Sequence, residues 1–357
     1  MADESYILKP GQLIKAQINE EDVKQLLKLR YGFEVSQVTE LDAYDDRNYR
    51  ILCKTVNNPH ISSLAEDGYV FKIINSLDSQ KIGFFEAQNE LLVYLNKKNF
   101  VCPIPVKQIN GSYYSVESIG PEGQRHLLRL LKYIPGDVLQ NSPKCPELLK
   151  QVGLFTAKFD DALKDFSHQA YEIQKSLWSL ESIPKLRDFV HVLKKSTEIK
   201  IIEEILHTFE NRVIPLLNKL EVGIIHGDLN ENNIIVSKGG KSVEAIIDFG
   251  DSHKSCLVFE LAICLCYMIT QYENIECAKH VIEGYRMIRQ LTHQEVEILK
   301  LCVCARFAQS LVMGTYSYLK EPQNHYLIRT HSLKWRLLKE LWCMKDEEAL
   351  KLWNIKL

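Results

Sequence analysis

Apolar positions along the first third of the chain fall into short strand-like runs and one helical run. "YRILCKTV" (49–56) and "YVFKIINS" (69–76) carry Val, Ile, Tyr and Phe at the density expected of strands. "FFEAQNELLVYLNKK" (84–98) places Phe84, Phe85, Leu91, Leu92 and Leu95 at helical spacing. Two prolines in "VCPIPV" end that helix, and "SYYSVES" (112–118) and "RHLLRLLKYI" (125–134) read as two more strands. "IPGD" (134–137) is a turn and a plausible lobe boundary.

Beyond that turn the pattern becomes helical. Pro146 suits a first helical position before "ELLKQVGLFTAKFDDAL", and helical spacing continues near 186–195, 198–220, 256–271, 276–289, 294–319 and 326–344. One β interruption stands out. "NIIVSKGGKSVEAIIDFGD" predicts a hairpin with strands at 234–237 and 243–247 around Gly239–Gly240. The expected fold class is therefore α+β: a small β-rich N-lobe (1–132) and a mostly helical C-lobe (133–357) with an embedded β-hairpin.

Composition narrows the function classes. A net charge of -2 argues against a nucleic-acid binder, which needs a basic excess. The ten cysteines form no C-x-x-C, and the two C-x-C pairs lie in apolar runs, so they read as small core residues. The longest apolar run, "CLVFELAICLCYMIT", is shorter than a membrane span and carries Glu260, which predicts a buried helix and no membrane partner. "MADESYILKPGQ" has no leader-like pattern, so the expected location is cytoplasmic. Oligomeric state is not legible.

The chemistry gathers at the hairpin. Its strands bring Asn233, before the first, close to Asp248, after the second, while Asp228 lies on the loop leading in. Oxygen donors of this kind suit Mg²⁺ shared with nucleotide phosphates, and a carboxylate that does not ligate metal suits proton acceptance. Taken singly, these Asx residues serve equally well as turn formers. "HGDLNENN" followed by "IIDFGD", with Asp228 and Asn233 five apart and Asp248 fifteen further on, resembles the signature of the aminoglycoside-phosphotransferase and choline-kinase-like superfamily. The resemblance implies a protein-kinase-like two-lobed fold, with Asp228 as catalytic base and Asn233 and Asp248 as metal ligands. It leaves Asn230 and Asn232 as loop-shaping residues and His226 as a brace.

The same resemblance implies a nucleotide-binding lysine, Lys72, on the strand "YVFKI", paired with a glutamate on the next helix. Glu86 is the favoured partner, although alignment on "LLVYL" lands on Gln88. The phosphate-covering loop near "DAYDDRNYRI" has no glycine. Arg47 or backbone N–H groups are expected at the phosphates, with Asp45 and Asp46 turned away, capping backbone or meeting substrate. The linker at Lys132 and Tyr133 is expected to meet the base through backbone groups. Gly227 in place of the arginine of H-R-D, and the absence of A-P-E, separate the chain from protein kinases.

"YDDRNY", "DFGDSHKSCLVFELAI" and "RFAQSLVMGTYS" resemble the hydroxylysine-kinase branch, over about Tyr44 to Tyr318. That implies Mg²⁺-dependent transfer of the γ-phosphoryl of GTP (or ATP) to 5-hydroxy-L-lysine. Such an acceptor wants acids for its ammoniums and an arginine for its carboxylate. Asp251 is the candidate acid, and Arg306, with Gln309, the candidate for the carboxylate; a structural pairing of Arg306 with Glu260 stays open. Trp178 is a candidate pocket wall, though core packing accounts for it as well. His253 reads more readily as a surface loop residue than as a ligand to phosphate or substrate. The alternatives are a kinase of another hydroxylated amine or amino acid and a catalytically dead binding module. The second predicts loss of a key residue, yet Asp228, Asn233, Asp248 and Lys72 are all present.

Overall fold

The structure is a computed structural model that describes residues 14–43, 46–121, 123–173, 176–320, 322–323 and 328–355. The N-terminal stretch, Tyr44 and Asp45 of the glycine-free turn, and 324–327 at the start of the expected last helix lie outside the described residues. The chain forms two compact units that meet in sequence at Pro135 and Gly136.

In the first unit, helix α1 (Glu20–Tyr31) starts where the Asn19 side chain accepts from Asp22 N–H, and ends at Gly32 in the left-handed region. A Cβ there would stand 2.1 Å from Asn57 O, so glycine is required. An all-antiparallel sheet follows, ordered β1-β2-β3-β5-β4, from β1 (Phe33–Leu41), β2 (Arg47–Val56), β3 (Tyr69–Ile73), β4 (Tyr114–Ile119) and β5 (Gln124–Lys132). Helix α2 (Ile82–Lys97) joins β3 to β4 in sequence and buries Phe84, Phe85, Leu91, Leu92 and Leu95, the positions its spacing marks. Tyr31, Phe33, Tyr69 and Phe71 anchor a core between α1 and the sheet.

The second unit opens with β6 (Asp137–Val138) and α3 (Pro146–Ala162), with Pro146 in the first turn. Short α4 (Gln169–Ile173) and a 3-10 segment (Leu180–Val192) lead to α5 (Ser196–Arg212). The regular helix expected at 186–195 is thus replaced by tighter turns, because Pro184 inside the segment removes a backbone donor. Likewise the run expected to 220 stops at Arg212, before Pro215. Strand β7 (Val222–Ile225) leads into the loop 226–233, and β8 (Ile234–Val236) pairs with β9 (Val243–Ile246) around the two glycines. β10 (His253–Cys256) pairs with β7. Then come α6 (Leu257–Tyr272), α7 (Ala278–Tyr285), α8 (His293–Lys320), α9 (His331–Cys343) and α10 (Asp346–Leu352).

Helix α6 is buried on nearly every face, as its apolar run predicts. Seven of the ten free cysteines are buried, and Cys264, Cys266, Cys302 and Cys304 fully so. Among the described residues no helix is long and apolar enough to cross a membrane.

Candidate active site

The loop between β7 and β8 is built by three layers of restraint. The first is local. Asp228 Oδ2 accepts from Asn230 Nδ2 at 2.7 Å and Asn233 Nδ2 at 3.1 Å. Asn230 Oδ1 in turn accepts the backbone N–H groups of Asn232 (2.8 Å) and Asn233 (3.2 Å). Asn230 therefore shapes the turn as an Asx residue does. Asn233 also donates to Asp228 O at 2.9 Å. With the amide nitrogen so engaged, Asn233 Oδ1 faces away from Asp228.

The second layer is backbone support from behind. Fully buried Glu260 on α6 accepts the N–H groups of His226 and Gly227. Gly227 has φ +80, and a Cβ would meet Asp251 O at 2.6 Å, so this position admits only glycine. Burial, reinforced by nearby Asp160, holds the Glu260 carboxyl well above the usual range. His226 Nε2 bonds Ile247 O at 2.9 Å while Nδ1 accepts from Asp228 N–H at 3.3 Å, an arrangement only the neutral ring satisfies. Burial lowers its pKa, and the ring packs on Phe249 with centroids 4.9 Å apart. His226 is thus a brace.

The third layer is Arg306 on α8, 1% exposed. Its Nη2 donates to Asp228 Oδ1 (3.1 Å), Tyr267 OH (3.0 Å) and Gly227 O (3.4 Å). Nη1 donates to Trp178 O (3.0 Å) and Gln309 Oε1 (2.8 Å), and Gln309 Nε2 donates to Leu177 O and Ser179 O. Two expectations are corrected here. Arg306 does not wait for a substrate carboxylate, and it does not pair with Glu260. Both its terminal nitrogens are engaged by Asp228, Gly227, Tyr267, Gln309 and the 177–179 segment, while Nε is buried without a partner. Gln309 is committed to the same segment, and the half-buried Trp178 ring stacks on the guanidinium at 5.3 Å.

Asp228 thus carries three N–H donors on an acceptor-only group and stays 21% exposed. The hairpin register places Asp248 beside this loop: Ile234 pairs with Ile246, and Ile247 N–H donates to Asn233 O at 2.9 Å. Asp248 is exposed at φ 63, ψ 74, a left-handed conformation that costs a non-glycine residue energy and is typical of functional turns. Asp251 contributes its carbonyl to His253 Nδ1 at 2.7 Å. His253 is no surface residue: β10 pairing buries it, at 2% exposure.

In the first unit, Lys72 is 6% exposed and lies on one rung of the sheet with Asn48, Arg129 and Tyr114. Directly paired residues point to the same face, so two cations stand side by side there. The sequence reading missed Arg129, whose Nη1 donates to Gln88 Oε1 at 2.8 Å. Glu86 is exposed and accepts from Tyr114 OH at 2.6 Å.

The Arg47 guanidinium pairs with Glu40 (2.6 Å) and donates to Ala16 O (3.2 Å). Asp46 caps backbone, accepting from Asn75 N–H at 2.8 Å. The N–H groups of Lys132 and Tyr133 are occupied by Ile104 O and Gly68 O, and the Tyr133 ring carries Arg50 at 4.0 Å.

The Phosphotransferase enzyme family matches residues 44–297. The hydroxylysine kinase of Xenopus laevis is 33% identical, over 95% of this chain and 94% of its own. Among solved structures, a microcompartment-associated aminopropanol kinase aligns with TM-score 0.68 at 14% identity, covering 95% of this chain and 99% of its own. An amicoumacin kinase aligns with TM-score 0.66 at 17% identity, covering 92% and 97%. The chain belongs to the phosphotransferase enzyme family, and it is a phosphotransferase with an alcohol group as acceptor.

Proposed function

We propose that this phosphotransferase moves the γ-phosphoryl group of GTP to the side-chain hydroxyl of 5-hydroxy-L-lysine, with Asp228 as general base. The observation that carries the reading is the Asp228 carboxylate, oriented by Asn230, Asn233 and Arg306 yet open to solvent, in a chain similar along its length to hydroxylysine kinases. In this reading residues 1–132 bind the nucleotide, and 133–357 carry the catalytic loop and the acceptor.

The acceptor oxygen attacks the γ-phosphorus while its proton passes to Asp228. The new O–P bond forms as the bond to the β-phosphate bridging oxygen breaks, releasing GDP. Little covalent work falls to the protein, so the orientation of Asp228 is its main contribution. Arg306 fixes one carboxylate oxygen and the two asparagines fix the other. Lys72 takes phosphate oxygens, with Arg129 adding charge on the same rung. Asn233 Oδ1 and the exposed Asp248 carboxylate are hard oxygen donors suited to Mg²⁺, which would neutralise charge on the phosphates when bound. Asp251, within three residues of Asp248, is placed for an acceptor ammonium, and Trp178 for a wall beside it.

A phosphoryl-transfer screen of hydroxylated amines and amino acids, run with GTP and ATP in parallel, tests this. Turnover should be highest with 5-hydroxylysine and faster with GTP. Turnover of another alcohol with none of 5-hydroxylysine would overturn the acceptor. Equal or faster rates with ATP would overturn the donor.

A further inference from the structure

With Arg306 occupied, the acceptor's carboxylate needs another cation. We propose that Lys334 binds the carboxylate and Glu231 the α-ammonium of an α-amino-acid acceptor, forming a zwitterion subsite beside Asp228. The inference rests on the reading above only in taking Asp228 to mark the reacting hydroxyl.

Lys334 lies on α9, and its Nζ donates to Ser310 Oγ on α8 at 2.8 Å. Among the described residues that is its side chain's one hydrogen-bond acceptor, and no carboxylate of theirs lies within 4 Å of Nζ. Two of its three ammonium protons therefore await an acceptor. Lys334 Nζ sits 5.4 Å from the Tyr267 ring centroid, and Arg306 lies 5.3 Å from the same centroid. The Tyr267 hydroxyl and Asp228 share the Arg306 Nη2 donor. One aromatic ring thus separates the open ammonium from the cation that holds the catalytic carboxylate.

Glu231 lies in the loop itself, between Asp228 and Asn233, and its Oε2 is buried without a partner. Burial holds its carboxyl above the ordinary range, with Lys334 and Arg329 pulling the other way. Burial pushes the Lys334 ammonium down, with Glu231 and Asp228 among the groups that oppose it. Lys334 and Glu231 form no ion pair within 4 Å, so the ammonium and Glu231 Oε2 each keep hydrogen-bonding capacity for a ligand carrying both signs. A carboxylate on Lys334 and an ammonium on Glu231 would satisfy both. An amine without a carboxylate would leave Lys334 desolvated and unpaired.

The test compares 5-hydroxylysine with 1,5-diaminopentan-2-ol, its counterpart lacking the carboxylate, on wild type, Lys334→Met, Lys334→Arg and Glu231→Gln. Lys334→Met should raise KM for 5-hydroxylysine about 10- to 100-fold, leave kcat within about threefold, and leave KM for the diamine unchanged or lowered. Lys334→Arg should recover part of the loss. Glu231→Gln should raise KM for both acceptors, since both keep that ammonium. Unchanged KM in Lys334→Met, or an equal rise for both acceptors, would overturn the subsite. Should Lys334→Met fail to fold, the methyl ester of 5-hydroxylysine on wild type must lose the same factor. If wild type ignores 5-hydroxylysine, the acceptor assignment falls. The subsite then stands or falls on whether the true acceptor carries a carboxylate whose binding Lys334→Met weakens.

Discussion

The catalytic loop and the Lys72 rung are both polar, both buried in part, and built on opposite principles. At the heart of the loop the carboxylates meet their complement inside the protein: Asp228 receives only N–H donors, and Glu260 receives two backbone N–H groups. On the rung Lys72 and Arg129 stand together, and on the helix that serves Arg129, Gln88 Nε2 and both amide atoms of Asn89 are buried without partners. A closed network holds its geometry before any ligand arrives. An open one, with buried amide groups unmet on the helix beside the rung, is free to rearrange when a ligand arrives.

The largest effect should come from the centre of the closed network. Asp228→Asn keeps the shape but replaces one acceptor oxygen with a donor facing other donors, and it removes the base. We expect kcat to fall by about 10²- to 10⁴-fold, with nucleotide affinity, measured by calorimetry, within a few-fold of wild type. Near-normal turnover would remove Asp228 from the reaction.

Arg306→Met asks how much of that closure is tertiary. The change strips a donor from Asp228, Tyr267, Trp178, Gly227 and Gln309 at once. Breaking a buried ion pair from one side costs about 3–5 kcal/mol, so chemical denaturation should show a loss of that order. A loss below about 1 kcal/mol would mean the guanidinium is not structural.

These two variants also mark where the sequence was legible. The motif H-G-D-x-x-x-x-N encodes contacts two to five residues apart, which a linear pattern can carry. Asn230 as turn former and His226 as brace follow from the same short range. The β-rich and helical halves, the hairpin and the buried α6 were readable because periodicity reports them. Arg306 meets Asp228 across 78 residues and Arg129 meets Gln88 across 41, and no local pattern encodes such pairings. Lys334 was overlooked for the same reason: within "HSLKWRLLKE" it looks like any lysine on a helix. The short β7–β10 ladder joins segments about thirty residues apart and gives no periodic signal.

A closed network also has a cost, and pH should expose it. Fully buried Asp160 on α3 accepts from Tyr285 OH at 2.6 Å, with Oδ1 unpartnered. Burial, with Glu221 and Glu295 adding repulsion against the pull of Tyr285 and Arg289, pushes its pKa up to about 7 from 3.8. The folded state therefore binds more protons than the unfolded state between those values. Stability from this group is fully present below about pH 4 and is lost as pH rises to about 7. Asp160→Asn should flatten that segment of the stability–pH curve. A slope unchanged by the substitution would show that Asp160 ionises freely.

The smallest effect should fall on the residue the motif favoured as the partner of Lys72. Glu86 is exposed and bound to Tyr114 OH, so its carboxylate works in high dielectric. Glu86→Gln keeps an acceptor for that hydroxyl and should change nucleotide affinity by less than about twofold. Gln88→Ala, by contrast, takes a buried acceptor from Arg129 beside Lys72 and should weaken nucleotide binding more. The pair reads the rung directly. If Glu86→Gln proves the more damaging, the glutamate moves to Lys72 when nucleotide binds, and the contrast between a closed loop and an open rung belongs to the ligand-free state alone.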